Sequence, residues 1–258
     1  MKTIVINGHT VKLYDSIDEL PIVNFQKYNK CILIDSKLGS DIDSIDSHII
    51  NIAKHINAND KKQAILELQN MRQNMHMIVS NVSPKYLAFA ALIYSIDGKK
   101  QEDLTDTGLQ EILDDLNNIQ HGFLIDILNR LKKKLSTELE IYFPNEFDSV
   151  KEKEAYCKLK TRLELQLQEI IDELDNTHEI EEIDCFLFSL QKPKNFSGKE
   201  SEEVKYDKQF ESACMIISQK TGMVAKKMTV LEFYNTLANL QKQIEADKKA
   251  HKRSTKRA

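Results

Sequence analysis

With 258 residues, 41% of them hydrophobic and 29% charged, the chain is long enough to bury a core and too apolar to be disordered. Only 7 glycines and 4 prolines argue against a turn-rich sheet protein and for long helices; with no tryptophan and 7% aromatics, the core must be mostly Leu, Ile, Val and Met. The net charge of −4 is unevenly placed: residues 246–258 contribute +5 and leave −9 on the other 245, a basic end on an acidic body.

The chain opens on its clearest β signal. Thr3-Ile4-Val5-Ile6 and Thr10-Val11-Lys12-Leu13 flank Asn7-Gly8, the residue pair that accepts two positive φ angles in a tight hairpin turn. A lone hairpin is marginal, so it must lean on helices or on a neighbouring subunit, to which its strand edges are open. Everything after it reads as helix. Pro21 suits a first helical position, and Phe25, Tyr28, Ile32 and Leu33 recur at helical spacing up to Gly39. Asp43 or Ser44 is the expected cap of a second helix, residues 45–57. A third runs from Asp60 through Leu68 and Met75 to Val79. Ser83-Pro84 opens a fourth, residues 85–96, apolar on nearly all sides and stopped by Asp97-Gly98. Two more are expected over 106–118 and 121–142, before a break at Phe143-Pro144.

The second half begins with a long amphipathic helix over residues 149–174, lined on one face by Tyr156, Leu159, Leu163, Leu167, Ile170 and Leu174. Asn176-Thr177 caps a shorter helix ending near Leu190; residues 191–203 read as loop, and a helix follows over 204–220. The last helix, from about Thr229, places Val230, Phe233, Leu237, Leu240 and Ile244 on a 3-4-3-4 stripe. It runs into the basic residues Lys248, Lys249, Lys252, Arg253, Lys256 and Arg257. The fold class expected is mainly α: a short N-terminal β-hairpin followed by two helical bundles, residues 1–145 and 146–258, divided near 143–149.

No constellation specifies a chemistry. The seven histidines contain no H-E-x-x-H, and His48 and His55, seven apart, have no third ligand at a telling spacing. Asp41, Asp43 and Asp46 fail the calcium-loop pattern, with Ile45 in a ligand place, and suit a helix cap better. No phosphate loop, dinucleotide fingerprint or nucleophile elbow occurs, and Asp114-Asp115 and Glu181-Glu182 read as solvated faces. No catalytic residue, cofactor or metal site is expected, and no enzyme. Cys31, Cys157, Cys185 and Cys214 are far apart in apolar helical contexts and are expected as buried free thiols made in a reducing cytoplasm. Lys2, Asn7, His9 and Lys12 interrupt any N-terminal signal core, and the longest apolar run, residues 87–93, is far short of the about 20 residues of a membrane span, so no membrane is expected.

The C-terminal stripe is expected either as a docking surface for another chain or as an ordinary core face. The basic tail is expected as a non-specific, salt-sensitive contact with DNA or an acidic partner, or else as a solvated helix end whose cations offset the dipole. Nothing aromatic follows Tyr234 that could stack on bases.

Two segments carry a resemblance: residues 14–46, YDSIDELPIVNFQKYNKCILIDSKLGSDIDSID, and residues 228–249, MTVLEFYNTLANLQKQIEADKK, preceded by the turn Ser218-Gln219-Lys220-Thr221-Gly222. Together they resemble structural proteins of crAss-like tailed bacteriophages of Bacteroides, and the closing segment is similar in style to phage tail assembly chaperones. The resemblance implies a virion component, assembled in the host cytoplasm, without a catalytic site: a multi-copy ring of the head–tail connector or tail, contacting other copies of itself and the portal or other tail proteins. An assembly chaperone or scaffold, or a packaged DNA-contacting cargo protein, stands as the alternative.

Overall fold

The computed structural model describes residues 1–116, 121–147, 150–190 and 192–255. The expected hairpin is present: β1 (Lys2–Ile6) pairs antiparallel with β2 (His9–Leu13), and Asn7 and Gly8 take φ of 48° and 88°. Helices α1 (Ile22–Leu38), α2 (Ile42–Asn57) and α3 (Lys61–Val79) follow. Gly39 turns the chain between the first two; its φ is 67°, and a Cβ there would collide with the Ser44 side chain. The cap of α2 is Asp41, not Asp43 or Ser44: its carboxylate accepts from the Ser44 backbone N–H at 2.8 Å and from the Ser44 hydroxyl at 2.5 Å. These two contacts, the hydroxyl first, hold the Asp41 carboxyl below its usual range.

The helix expected over residues 85–96 is half helix and half strand. Helix α4 (Pro84–Ala91) stops early, and β3 (Ile93–Ile96) turns through Asp97-Gly98 into β4 (Lys99–Lys100). Asp97 and Gly98 take φ of 48° and 84°, the same pair of angles as Asn7-Gly8. β3 joins β2, so the sheet runs β1-β2-β3-β4 and the inner edge of the first hairpin is covered by the same chain. Asp97 ties the two hairpins together, accepting from the Thr10 N–H at 2.7 Å while its other oxygen pairs with His9 Nδ1 at 2.7 Å.

Beyond the sheet come α5 (Asp106–Asp115), α6 (His121–Tyr142), the short α7 (Pro144–Phe147), α8 (Val150–Ile171), α9 (Thr177–Leu190), α10 (Glu202–Thr221) and α11 (Val230–Thr255). A capping box starts α11: the Glu232 N–H donates to Thr229 Oγ1, and the Thr229 N–H donates back to Glu232 Oε2. The mainly α class with an N-terminal hairpin therefore holds, enlarged by the second hairpin.

The core crosses the expected boundary near 143–149. One cluster of buried residues joins Val11 and Leu13 of the sheet, Phe25 of α1, Phe89 of α4, Leu135 of α6, Ile217 of α10 and Val230, Phe233 and Leu240 of α11. Backbone bonds stitch the entrance of α11 to the entrance of α1: Ile22 N–H to Met228 O, Val230 N–H to Leu20 O and Leu231 N–H to Ile17 O, all within 2.9–3.0 Å. Residues 1–145 thus do not have a core to themselves. Tyr234 stands among Phe25, Phe143, Phe147 and Phe233, with ring centroids 4.9–6.3 Å away, and burial pushes its hydroxyl up to about 12.

Candidate interaction surfaces

The C-terminal stripe mostly faces inward. Val230 is fully buried, Phe233 and Leu240 are buried and Leu237 is half-buried; Ile244, one turn further on, is 41% exposed. The face expected to dock another chain is therefore, over its first three turns, a core face of this one. The 3-4-3-4 spacing is real, but its partner is the body formed by α1 and α10. Of the basic tail, Lys248, Lys249, Lys252 and Arg253 belong to the helical backbone of α11, with side chains outside the described part of the structure. Lys256 and Arg257 lie outside the described residues altogether.

The outward apolar faces are elsewhere. Helices α2 and α3 form an antiparallel pair locked from within by a buried His48–Glu67 contact. His48 Nδ1 lies 2.9 Å from Glu67 Oε1, His48 Nε2 lies 2.9 Å from Leu38 O, and Asn51 also donates to Glu67 Oε1 at 3.2 Å. A backbone carbonyl and a carboxylate both only accept, so the arrangement favours the protonated ring, which donates from both nitrogens, and the pKa of His48 is raised. A polar cavity of about 300 Å³ opens beside this pair, lined also by Ser44, Ser47, Lys192 and Lys194. On their outer sides the same helices expose Ile49, Ile50, Ile56, Ile65, Leu68 and Met75.

The second outward face is on α8. Helices α8 and α9 pair with each other, and Arg162 clamps them by a two-pronged contact to Asp184 (Nε to Oδ1 2.6 Å, Nη2 to Oδ2 3.1 Å). Asn176 closes the turn by donating to Leu165 O at 3.1 Å. The far end of α9 is held to α2: the Phe188 ring sits 4.7 Å from His55, with Lys54 Nζ 5.5 Å above it. The following loop latches onto α3 through Asn70 to Lys194 O (3.0 Å) and Gln73 to Phe196 O (3.0 Å). The α8 positions turned to α9 are the half-buried Ala155, Arg162, Leu165, Gln166 and Glu169. The apolar row from Tyr156 to Ile170 lies about a quarter-turn round the helix and is exposed throughout, Tyr156 and Ile170 at 77% and Leu163 at 58%. The helix expected over 149–174 ends at Ile171, and Glu173 takes a φ of 53°, so Leu174, also exposed, lies in the turn beyond it.

His48 and His55 diverge: one holds α3, the other packs against Phe188. Among the described residues, no group of three or more His, Cys, Asp or Glu is arranged to hold a metal ion. All four cysteines are free, but only Cys31 and Cys214 are buried; Cys157 and Cys185, expected inside, are exposed on the α8–α9 pair. Among the described residues no helix is long and apolar enough to cross a membrane. No family model, curated protein or solved structure matches the chain.

Proposed function

We propose that the chain is a non-enzymatic assembly protein, and specifically a multi-copy helical component of a tailed-phage particle, in a ring of the head–tail connector or tail. The observation that carries this reading is the pair of outward apolar faces, on α2–α3 and on α8, held by helices that are internally locked. Exposed rows of large apolar side chains on an otherwise acidic body favour burial against protein. The resemblance of residues 14–46 and 228–249 to structural proteins of crAss-like phages supports the choice of particle. Its partners are then other copies of itself and portal or tail proteins, with non-specific DNA as a further contact of the basic tail.

A second reading, an assembly chaperone or scaffold that leaves before maturation, draws on the same faces, which would then cover a client. Mass spectrometry of purified particles separates the two. A ring component is recovered in multiple copies per particle, whereas a chaperone is absent or at trace level. Recovery of the chain only in the soluble fraction, as a monomer, overturns the assembly function itself.

A further inference from the structure

We propose that the exposed row on α8 is a two-fold seam, at which the α8 helices of two copies of this chain pack antiparallel about Leu163. The spacing of the row is self-complementary under such a rotation. Leu159 and Leu167 stand four residues either side of Leu163, and Tyr156 and Ile170 seven either side. In an antiparallel pair centred there, Leu163 meets itself, Leu159 meets Leu167 and Tyr156 meets Ile170. Leu174 lies past the end of α8 and takes no part in the pairing. From Tyr156 to Ile170 the seam is about 21 Å long.

Charge selects the same arrangement. Leaving aside Arg162, whose charge is held by Asp184, residues 150–162 carry four cations (Lys151, Lys153, Lys158 and Lys160) against two acids. Leaving aside Glu169, which faces α9, residues 163–175 carry four acids, Glu164 on the helix and Asp172, Glu173 and Asp175 in the turn after it, and no cation. A parallel pair sets like halves together; an antiparallel pair sets the basic half of each copy on the acidic half of the other, Lys160 beside Glu164 at the margin. In the single chain the two already pair with each other at 3.6 Å, both exposed, so at the seam each exchanges an exposed partner on its own helix for one on the other copy. Because the Arg162–Asp184 clamp fixes the hairpin already, docking orders little that is not ordered in the monomer. The seam rests on the reading of the chain as an assembly protein and gives it a symmetry: copies joined in isologous pairs, or two rings joined back to back.

Cysteine cross-linking of the full chain tests this, in a background carrying Cys157→Ser and Cys185→Ser and checked by circular dichroism. Under mild oxidation Leu163→Cys links to itself. Tyr156→Cys and Ile170→Cys each stay unlinked alone and link when mixed. Self-linking of Tyr156→Cys marks a parallel pair and overturns the proposal, as does no linking at any of the three positions. In sedimentation velocity, Leu163→Lys on the native background lowers the dimer fraction at least tenfold with an unchanged melting temperature. If that variant assembles like the parent, the seam is wrong while the assembly function stands. If the parent itself is monomeric at every concentration, both fall.

Discussion

His48 of α2 faces Glu67 of α3 at 2.9 Å with both side chains buried, and the other ring nitrogen of His48 donates to the last carbonyl of α1, Leu38 O. Three helices thus meet on one imidazolium. Desolvation is the largest single influence on the ring and pulls its pKa down; the Glu67 bond, the Leu38 carbonyl and the Glu67 charge together outweigh it, so the pKa is raised. With the folded value above the ordinary one of about 6.5, the protonated ring stabilises the fold fully below that pH. The stabilisation is lost as pH rises from about 6.5 through the raised value. Melting temperatures of the parent and His48→Gln, taken from pH 5.5 to 9, should differ most at the acidic end and converge on the alkaline side. Parallel curves would remove the imidazolium from the picture.

Truncating the acid is costlier than neutralising it. Glu67→Ala leaves a buried cation and Asn51 without their acceptor, and we expect a loss of about 3–5 kcal/mol. Glu67→Gln keeps an acceptor oxygen in place and costs less. Urea unfolding of the two variants gives the ordering directly.

Asp97 is the second such tie. Its carboxylate holds Thr10 N–H and His9, contacts that keep it below the usual range, His9 first. Gly98 beside it sits at φ 84°. Gly98→Ala should cost about 1–2 kcal/mol through strain in the left-handed region alone, whereas Gly108→Ala acts by collision with the Asp103 side chain at ordinary φ. Equal and negligible effects at both sites would contradict the turn assignment.

The α11 stripe should behave as core. Phe233→Ala removes a buried ring packed on Phe210 and Tyr234 and is expected to cost about 3–5 kcal/mol. Ile244→Asp, at a 41% exposed position, should leave stability within about 0.5 kcal/mol of the parent. Because the core is shared, Phe233→Ala should unfold residues 1–145 and the C-terminal helices together. Two separate transitions would show that the halves fold alone.

Thiol accessibility follows from the same burial pattern. Of the four cysteines, Cys157 and Cys185 should react with an aromatic disulfide reagent at once in the native protein. Cys31, whose thiol burial pushes up to about 12, and Cys214 should react only on unfolding.

How far the sequence reaches is clearest in three comparisons. Asn7-Gly8 and Asp97-Gly98 make the same turn, yet only the first is legible. Alternating β-branched residues flank it, while Asp97 follows the unbroken apolar run 87–93, whose periodicity cannot separate a buried helix from a buried strand. The stripes of α8 and α11 are equally regular, but one lies open and the other is core. Periodicity shows that a helix has a face and is silent on what covers it. The His48–Glu67 contact bridges 19 residues between two helices and has no local signature at all. Cys157 and Cys185 stand exposed for the same reason: an apolar helical setting is not yet a buried one.

Sedimentation velocity of the purified full chain across a hundredfold range of concentration bears on the heart of this proposal, that the protein acts by presenting apolar helix faces to other chains. We expect discrete species larger than one chain, growing with concentration and reduced by Leu163→Lys. A single monomeric boundary throughout, identical in parent and variant, would contradict it.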